Sequence, residues 1–327
     1  MKRLVLGFLS IFSLLFTLNA CCQTGVISPP AIPGPELAKQ LTSDTVALVT
    51  NFGDMDTTHG AFCTGVWVGE RTILTANHCI EGYAKMYHRS LVVEAWLKHG
   101  VPRIVIGMLL EAELDDASDI VQGSDPDEEK MSDAVKEVIA IAKSISPVNP
   151  DEVFVPYIIQ SAVTDKGVAL SSLHLTQVVA RSKSDDLAII QVSGKHPKHL
   201  VAKVAQTSPL VGEQIELMGH IHHNFWFYRQ GLVGAYRSSV DDLPEIHGPF
   251  LEIAGNVGHG DSGGGAYNSQ GELIGIASFI SGDEVQSGYY IHLDTIRGFL
   301  AAQHVLTLKI DTTAKDPDLG DATLNKE

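Results

Sequence analysis

Short apolar, β-branched stretches cut by glycine and polar turns run through most of this chain, and that rhythm restricts it chiefly to antiparallel sheet. The stretches are Val46–Thr50, Thr64–Val68, Thr72–Ala76, Leu91–Leu97 and Ile104–Leu109. Past residue 150 they resume at Val153–Ile159, Val178–Ala180, Leu187–Val192, Gln214–Met218, Gly231–Tyr236, Phe250–Ile253, Glu272–Phe279 and Gly288–His292. Many short strands at close spacing favour barrels, and roughly 250 residues of the pattern exceed what one small closed barrel uses.

One segment breaks the rhythm. Between Glu111 and Glu137 stand eleven acidic residues against two lysines. The segment runs into 134–145, where Val135, Val138, Ala142 and Ile145 share one helical face, with Ser132 as N-cap and Pro147 as stop. The spacing predicts a helical acidic insertion over about 111–150. Two readings stay open for it: a solvated loop whose helix lies on the barrel, or a surface for a basic partner. The whole chain has 23 Lys and Arg against 39 Asp and Glu, a formal charge of −16. A phosphate backbone would be repelled, so no nucleic-acid partner is expected.

The first twenty residues read as a targeting segment. Lys2 and Arg3 precede an apolar run from Leu4 to Leu18, the length of a signal-peptide core and short for a membrane span. The run ends Leu18-Asn19-Ala20-Cys21, which resembles a bacterial lipobox and makes Cys21 the lipidated residue. An ordinary secretory signal cut after Ala20 is the alternative. Either places the mature chain outside the cytoplasm, as a membrane-anchored lipoprotein of the cell envelope or as a secreted or periplasmic protein. Residues 21–44 contain Pro29, Pro30, Pro33 and Pro35 and read as an anchor and extended tether without a core. Residues 307–327 are polar and expected to be disordered. Of four cysteines, adjacent Cys21 and Cys22 lie in the leader region, which leaves Cys63 and Cys79 to staple the folded part.

Three sites carry the chemistry. His259-Gly260-Asp261-Ser262-Gly263-Gly264-Gly265 is a glycine-rich turn that can present a serine hydroxyl beside outward-facing amides. Gly260 to Gly264 also satisfies Gly-x-Ser-x-Gly, the nucleophile elbow of α/β-hydrolases. The context argues against that reading, because Ala266–Gly271 is a turn between strands rather than the start of a helix. A serine nucleophile needs a histidine base, and the base needs an acid. Both stand upstream, in Thr75-Ala76-Asn77-His78-Cys79 and in Asp185-Asp186-Leu187-Ala188-Ile189-Ile190.

The order histidine, aspartate, serine, in Thr-Ala-Asn-His78-Cys79, Asp186-Leu-Ala-Ile-Ile and Gly-Asp-Ser262-Gly-Gly, resembles the chymotrypsin-like (trypsin-fold) serine peptidases over about residues 45–300. That resemblance implies an all-β fold of two antiparallel six-stranded barrels with the active site in the cleft between them, and a short C-terminal helix. The first barrel would span 45–200, with the acidic insertion inside it. The second barrel and helix would span 201–306. It further implies His78 as general base, Asp186 as the orienting acid, Ser262 as nucleophile, the amides of Gly260 and Ser262 as oxyanion hole, and a Cys63–Cys79 disulfide beside His78. Asp185 is the alternative acid. The implied activity is hydrolysis of peptide bonds in a protein or peptide substrate through an acyl-enzyme, with no cofactor and no metal. A catalytically inactive binding or scaffold lipoprotein on the same fold is the rival.

For specificity the resemblance points to Asn256 at the base of the primary pocket, Gly288 on one wall, Ile280 at the entrance and Ser278 beside the buried aspartate; His259, beside the oxyanion turn, reads either as a substrate contact or as an exposed loop residue. A small or uncharged side chain is the expected preference. One departure stands out. The chain lacks the Ile-Val-Gly-Gly-like start whose freed ammonium pairs, in the zymogen branch, with the aspartate before the nucleophile. Either a cut near Asp44–Val46 frees a new terminus, or Asp261 has another partner. Finally, His220-x-His222-His223 has the spacing of a metal site, but with no nearby cysteine or paired carboxylate it is read as non-ligating.

Overall fold

Strand β1 (Thr45–Val49) is buried along its whole length, because its two faces meet two different cores. Val46 and Leu48 point into the first barrel, with Trp67, Ile73, Ala188 and Ile190. Ala47 and Val49 point the other way, into a cluster shared with Met218, Tyr267 and Ile276 of the second barrel. A strand sandwiched in this way reads as a continuous apolar run rather than an alternation. The computed structural model describes residues 34–50, 61–103, 105–106, 136–164, 167–170, 173–221, 224–240, 245–280 and 287–303, all within one unit, Ile32–Glu327.

The first barrel closes in the order β1, β2 (Ala61–Gly69), β3 (Thr72–Ala76), β8 (Leu187–Val192), β7 (His174–Ser182) and β4 (Phe154–Ile158), with β4 returning to β1. A hairpin, β5 (Gln160–Thr164) and β6 (Gly167–Leu170), leaves it after β4. The second barrel runs β10 (Gln214–Gly219), β11 (Phe227–Arg237), β12 (Phe250–Ala254), β15 (Ser287–His292), β14 (Glu272–Ile280) and β13 (Gly265–Tyr267), and β13 closes it on β10. A two-residue strand, β9 (Lys203–Val204), adds in parallel to the edge of β14. The interior of this barrel holds Ile215, Leu217, Val233, Leu251, Ile253, Ile274 and Tyr290. Helix α4 (Leu293–Ala302) follows and buries Ile296 and Phe299 against the shared cluster. The fold is therefore the expected pair of six-stranded antiparallel barrels with a C-terminal helix.

Three expectations need correction. Residues 34–43 form helix α1, not an extended tether, and Leu37 and Leu41, one turn apart, are fully buried in the shared cluster. Pro35 stands in the first turn, where its missing N–H costs nothing. Leu91–Leu97 is not a strand; it belongs to helix α2 (Asn77–Lys98). The buried positions Cys79, Ile80, Tyr83, Ala84, Val92, Val93 and Trp96 follow a 3.6-residue period across 22 residues, which outweighs local β-branching. In the stretch Ile104–Leu109, Val105 and Ile106 are helical and the rest lies outside the described residues. The predicted helix after the acidic run is present as α3 (136–144). Together α2 and α3 make a small separate core of Val92, Val93, Trp96, Ile106, Val138 and Ala142, tied by Trp96 Nε1 donating to the Val138 carbonyl at 2.8 Å. Residues 107–135, with most of the acidic run, lie outside the described residues, as do the predicted leader 1–20 with Cys21 and the tail 307–327.

One buried acid ties α1 to both barrels. Asp44 is fully buried; its carboxylate accepts from Tyr267 at 3.1 Å and its carbonyl from the Trp67 amide at 2.8 Å. Burial holds its carboxyl well above the ordinary carboxylate range. The folded state then keeps a proton that the unfolded chain releases near pH 4, so the contribution of this group to stability is fully present below that pH and is lost as pH rises toward the folded value. Asp44→Asn is expected to flatten this decline, measured as thermal unfolding midpoint from pH 4 to 8. Parallel profiles for the two proteins would refute the assignment.

Candidate active site

Helix α2 has no cap of its own: Ala76 stands at the N-cap with no side-chain hydrogen bond. Asp186, in the turn between β7 and β8, supplies the missing acceptors. Its carbonyl takes the Asn77 amide at 3.0 Å, and its Oδ1 takes the His78 amide at 2.9 Å. Its Oδ2 lies 2.9 Å from His78 Nδ1 and also accepts from the Ser278 hydroxyl. To reach both, Asp186 adopts φ 49°, a left-handed conformation in which aspartate and asparagine are the most tolerated non-glycine residues. The side chain is 2% exposed, whereas His78 is 43% exposed. A carboxylate oxygen can only accept, so Nδ1 carries the ring proton and Nε2 keeps a free lone pair.

Asp185, the alternative acid, faces away and accepts from Ser182 Oγ at 2.6 Å. The start of α2 is braced further by Arg181 of β7, whose guanidinium reaches Asn77 Oδ1 at 3.0 Å, Glu81 at 3.3 Å and Asp151 at 2.6 Å. Next to His78, Cys79 is bonded to Cys63 of β2 with a Cα–Cα separation of 6.1 Å. The bridge spans 16 positions, and closing a loop of that size stabilises by about 3 kcal/mol in the chain-entropy account. A Cys63→Ala/Cys79→Ala double variant should lose about that much in denaturant unfolding; unchanged stability would contradict it.

Ser262 comes from the second barrel, on the turn between β12 and β13. Its carbonyl accepts the Thr64 amide of β2 at 2.8 Å, so the turn that carries Ser262 is stitched directly to the first barrel. Gly263 has φ 81°, and a Cβ there would lie 2.1 Å from Thr75 Oγ1 and 2.2 Å from the Thr64 carbonyl. The glycine run is therefore required by the close approach of β2 and β3 as well as by its dihedrals. The Ser262 hydroxyl donates to the Ser278 carbonyl at 3.4 Å and makes no hydrogen bond to His78. Serine–histidine contacts of this kind commonly tighten only with substrate in place. The amides of Gly260 and Ser262 have no acceptor among the described residues, while the Asp261, Gly263 and Gly264 amides are all engaged.

His78 and Ser262 line one cleft of about 290 Å³, together with Val257, His259, Phe279 and Ile280. Of the five residues expected to meet substrate, His259, Ser278 and Ile280 are on its wall. Asn256 is exposed and Gly288 is buried, and neither lines the cleft. A Cβ on Gly288 would lie 2.8 Å from Val257. Val257 and Phe279 were not legible in the sequence, since nothing local marks an apolar side chain as facing a cleft rather than a core.

His220 is fully buried, with Nδ1 2.8 Å from Thr64 Oγ1. Its ring meets Phe225 and Trp226 edge-on at 5.7 and 5.1 Å. Burial, followed by the charge of Arg229, pushes its pKa down to about 3, so it is neutral. His222 and His223 lie outside the described residues. Among the described residues, Cys63, His78 and Cys79 sit close enough to share a metal ion, but both sulfurs are committed to the disulfide.

Residues 147–276 match the family described as the trypsin-like peptidase domain, and residues 44–104 match the trypsin family. No curated protein matches the chain in sequence. Among solved structures, the chain is similar to the serine endoprotease from Yersinia pestis, at 14% identity over 84% of this chain and 68% of that one, TM-score 0.47. The protease domain of MamO from Magnetospirillum magneticum matches at 16% identity over 80% and 97%, TM-score 0.46. An inactive form of Rv3671c from M. tuberculosis matches at 14% identity over 86% and 98%, TM-score 0.47.

Proposed function

The chain belongs to the trypsin-like serine peptidases and is a serine-type endopeptidase, and from that premise we propose that His78, Asp186 and Ser262 form its catalytic triad and that it works through an acyl-enzyme. The observation that carries this reading is the contact of Asp186 with His78 Nδ1, which leaves Nε2 as a base in the same cleft as the Ser262 hydroxyl. Ser262 Oγ attacks the scissile carbonyl carbon as its proton passes to Nε2. The imidazolium that forms is stabilised by Asp186. The carbonyl oxygen, now an alkoxide, accepts from the free amides of Gly260 and Ser262, where one donor is worth about 3–4 kcal/mol in the transition state. The intermediate collapses, the C–N bond breaks, and the departing amine takes the proton from Nε2. Water then repeats the sequence on the ester, releasing the acid and restoring Ser262.

Substrate binds along the wall of Val257, His259, Phe279 and Ile280; the acidic residue among the described lining, Asp261, is paired with Arg229, so uncharged residues are favoured there over Lys or Arg. The segment Lys2–Leu18 and the Leu18-Asn19-Ala20-Cys21 string support an exported protein anchored by lipid on Cys21, and an exported setting suits the Cys63–Cys79 bridge. The test is covalent labelling of the folded chain by a fluorophosphonate, which reports an activated serine without a known substrate. A single adduct that maps to Ser262 in a digest is expected. A folded, unlabelled protein would favour the scaffold alternative and overturn the proposal.

A further inference from the structure

Gly258 to Ser262 form a turn that closes on itself through Asp261: its amide donates to the Gly258 carbonyl at 3.1 Å, and its Oδ2 accepts the Gly258 amide at 3.0 Å. Gly260 stands inside that turn at φ 97°, a conformation only glycine adopts freely. Two buried contacts hold the turn from outside. From the first barrel, Thr64 Oγ1 donates to the Gly260 carbonyl at 2.7 Å and lies 2.8 Å from His220 Nδ1. A hydroxyl has one proton, and it is given to Gly260; the histidine must therefore be the donor to Thr64, which fixes the rotor of the hydroxyl. From the second barrel, Arg229 on β11 places a guanidinium nitrogen 2.5 Å from Asp261 Oδ2, with the two side chains 7% and 3% exposed. Arg229 is itself held by the Phe227 carbonyl at 3.0 Å and by Tyr290. A carboxylate this deep requires a compensating cation, and the fold supplies one.

Among the described residues, the segment 44–46, where a cut would free a new amino terminus, is built into the fold. Asp44, Thr45 and Val46 are fully buried, β1 is paired on both sides by β2 and β4, and α1 leads into it with Leu37 and Leu41 in the core. A cut at 44–46 would open a buried strand. We infer that Thr64 and Arg229 are positioning residues that hold the oxyanion turn in its working form from within the fold, so that activity requires no freed amino terminus. This rests on the peptidase reading proposed above.

The experiment compares the full chain with Thr64→Val, Thr64→Ser and Arg229→Met, using a fluorescent peptide library, a peptide boronate and a fluorophosphonate. Wild type whose 34–46 segment is intact by mass spectrometry should label and turn over. Thr64→Val and Arg229→Met should lose about 10- to 100-fold in kcat with KM little changed, less than loss of an oxyanion donor outright. Affinity for the boronate, whose adduct with serine is tetrahedral and anionic, should fall in parallel. Thr64→Ser keeps the hydroxyl and should restore both. Arg229→Met leaves Asp261 charged and buried; if it fails to fold, Thr64→Val, which preserves the ion pair, carries the test. Folded variants with wild-type kcat and boronate affinity would overturn the inference, as would activity that appears only after cleavage within 34–46. If Ser262 never labels, intact or cleaved, the peptidase reading itself falls and takes this inference with it.

Discussion

Ser262→Ala is expected to lower kcat by about 10⁶-fold, the scale seen when a triad nucleophile is removed. The substitution deletes one oxygen whose one hydrogen bond among the described residues is a long one, 3.4 Å, to the Ser278 carbonyl. The bonds that hold the turn run through the backbone, from the Thr64 amide to the Ser262 carbonyl and from the Gly263 amide to the Ala277 carbonyl, and they survive. Stability should therefore be close to that of wild type, which separates lost chemistry from lost fold. His78→Ala should be as inactive, and the Ser262→Ala/His78→Ala pair no worse than either alone, because the two groups act in one proton transfer. Additive losses in kcat on a peptide library would show that they do not.

Asp186→Asn is expected to cost about 10⁴-fold in kcat. Both carboxylate oxygens accept: Oδ1 from the His78 amide, Oδ2 from His78 Nδ1 and the Ser278 hydroxyl. An amide must place its NH₂ on one side or the other. At Oδ2 it donates to Nδ1 and moves the ring proton to Nε2, where no lone pair is left to receive the serine proton. At Oδ1 it faces the His78 amide, donor against donor, at the start of a helix that has no other cap. The second arrangement also removes a capping bond, worth about 1 kcal/mol. Asp185→Asn is the control, since Asp185 bonds Ser182 and does not touch His78. Near-normal turnover in Asp186→Asn, or a matching loss in Asp185→Asn, would reassign the acid.

Most strands and the three catalytic candidates were legible because each is a local signal. Leu187–Val192 was read to the residue, since a strand buried on both faces is an uninterrupted apolar run with sharp ends. The glycine turn around Ser262 was legible because its dihedrals exclude other residues. Helix α2 was misread over Leu91–Leu97, where β-branching dominates a short window and the helical period emerges only across the whole element. Helix α1 was missed because four prolines nearby mask a single buried pair, Leu37 and Leu41. The wall of the cleft was the least legible part: Val257 and Phe279 look like any core residue until the barrels meet.

The sequence by itself determined most of the strands and the local motifs around His78, Asp186 and Ser262, because these depend on neighbours a few residues apart, while the Cys63–Cys79 pairing followed from the cysteine count and the resemblance. Only the tertiary structure put Asp186, rather than Asp185, against His78 Nδ1, placed a foreign cap on α2, and brought Arg229 to Asp261, 32 positions along the chain. Nothing in a local window marks an arginine on a strand as the partner of a distant carboxylate. The pairing exists because barrel closure removes both charges from water, and each then compensates the other.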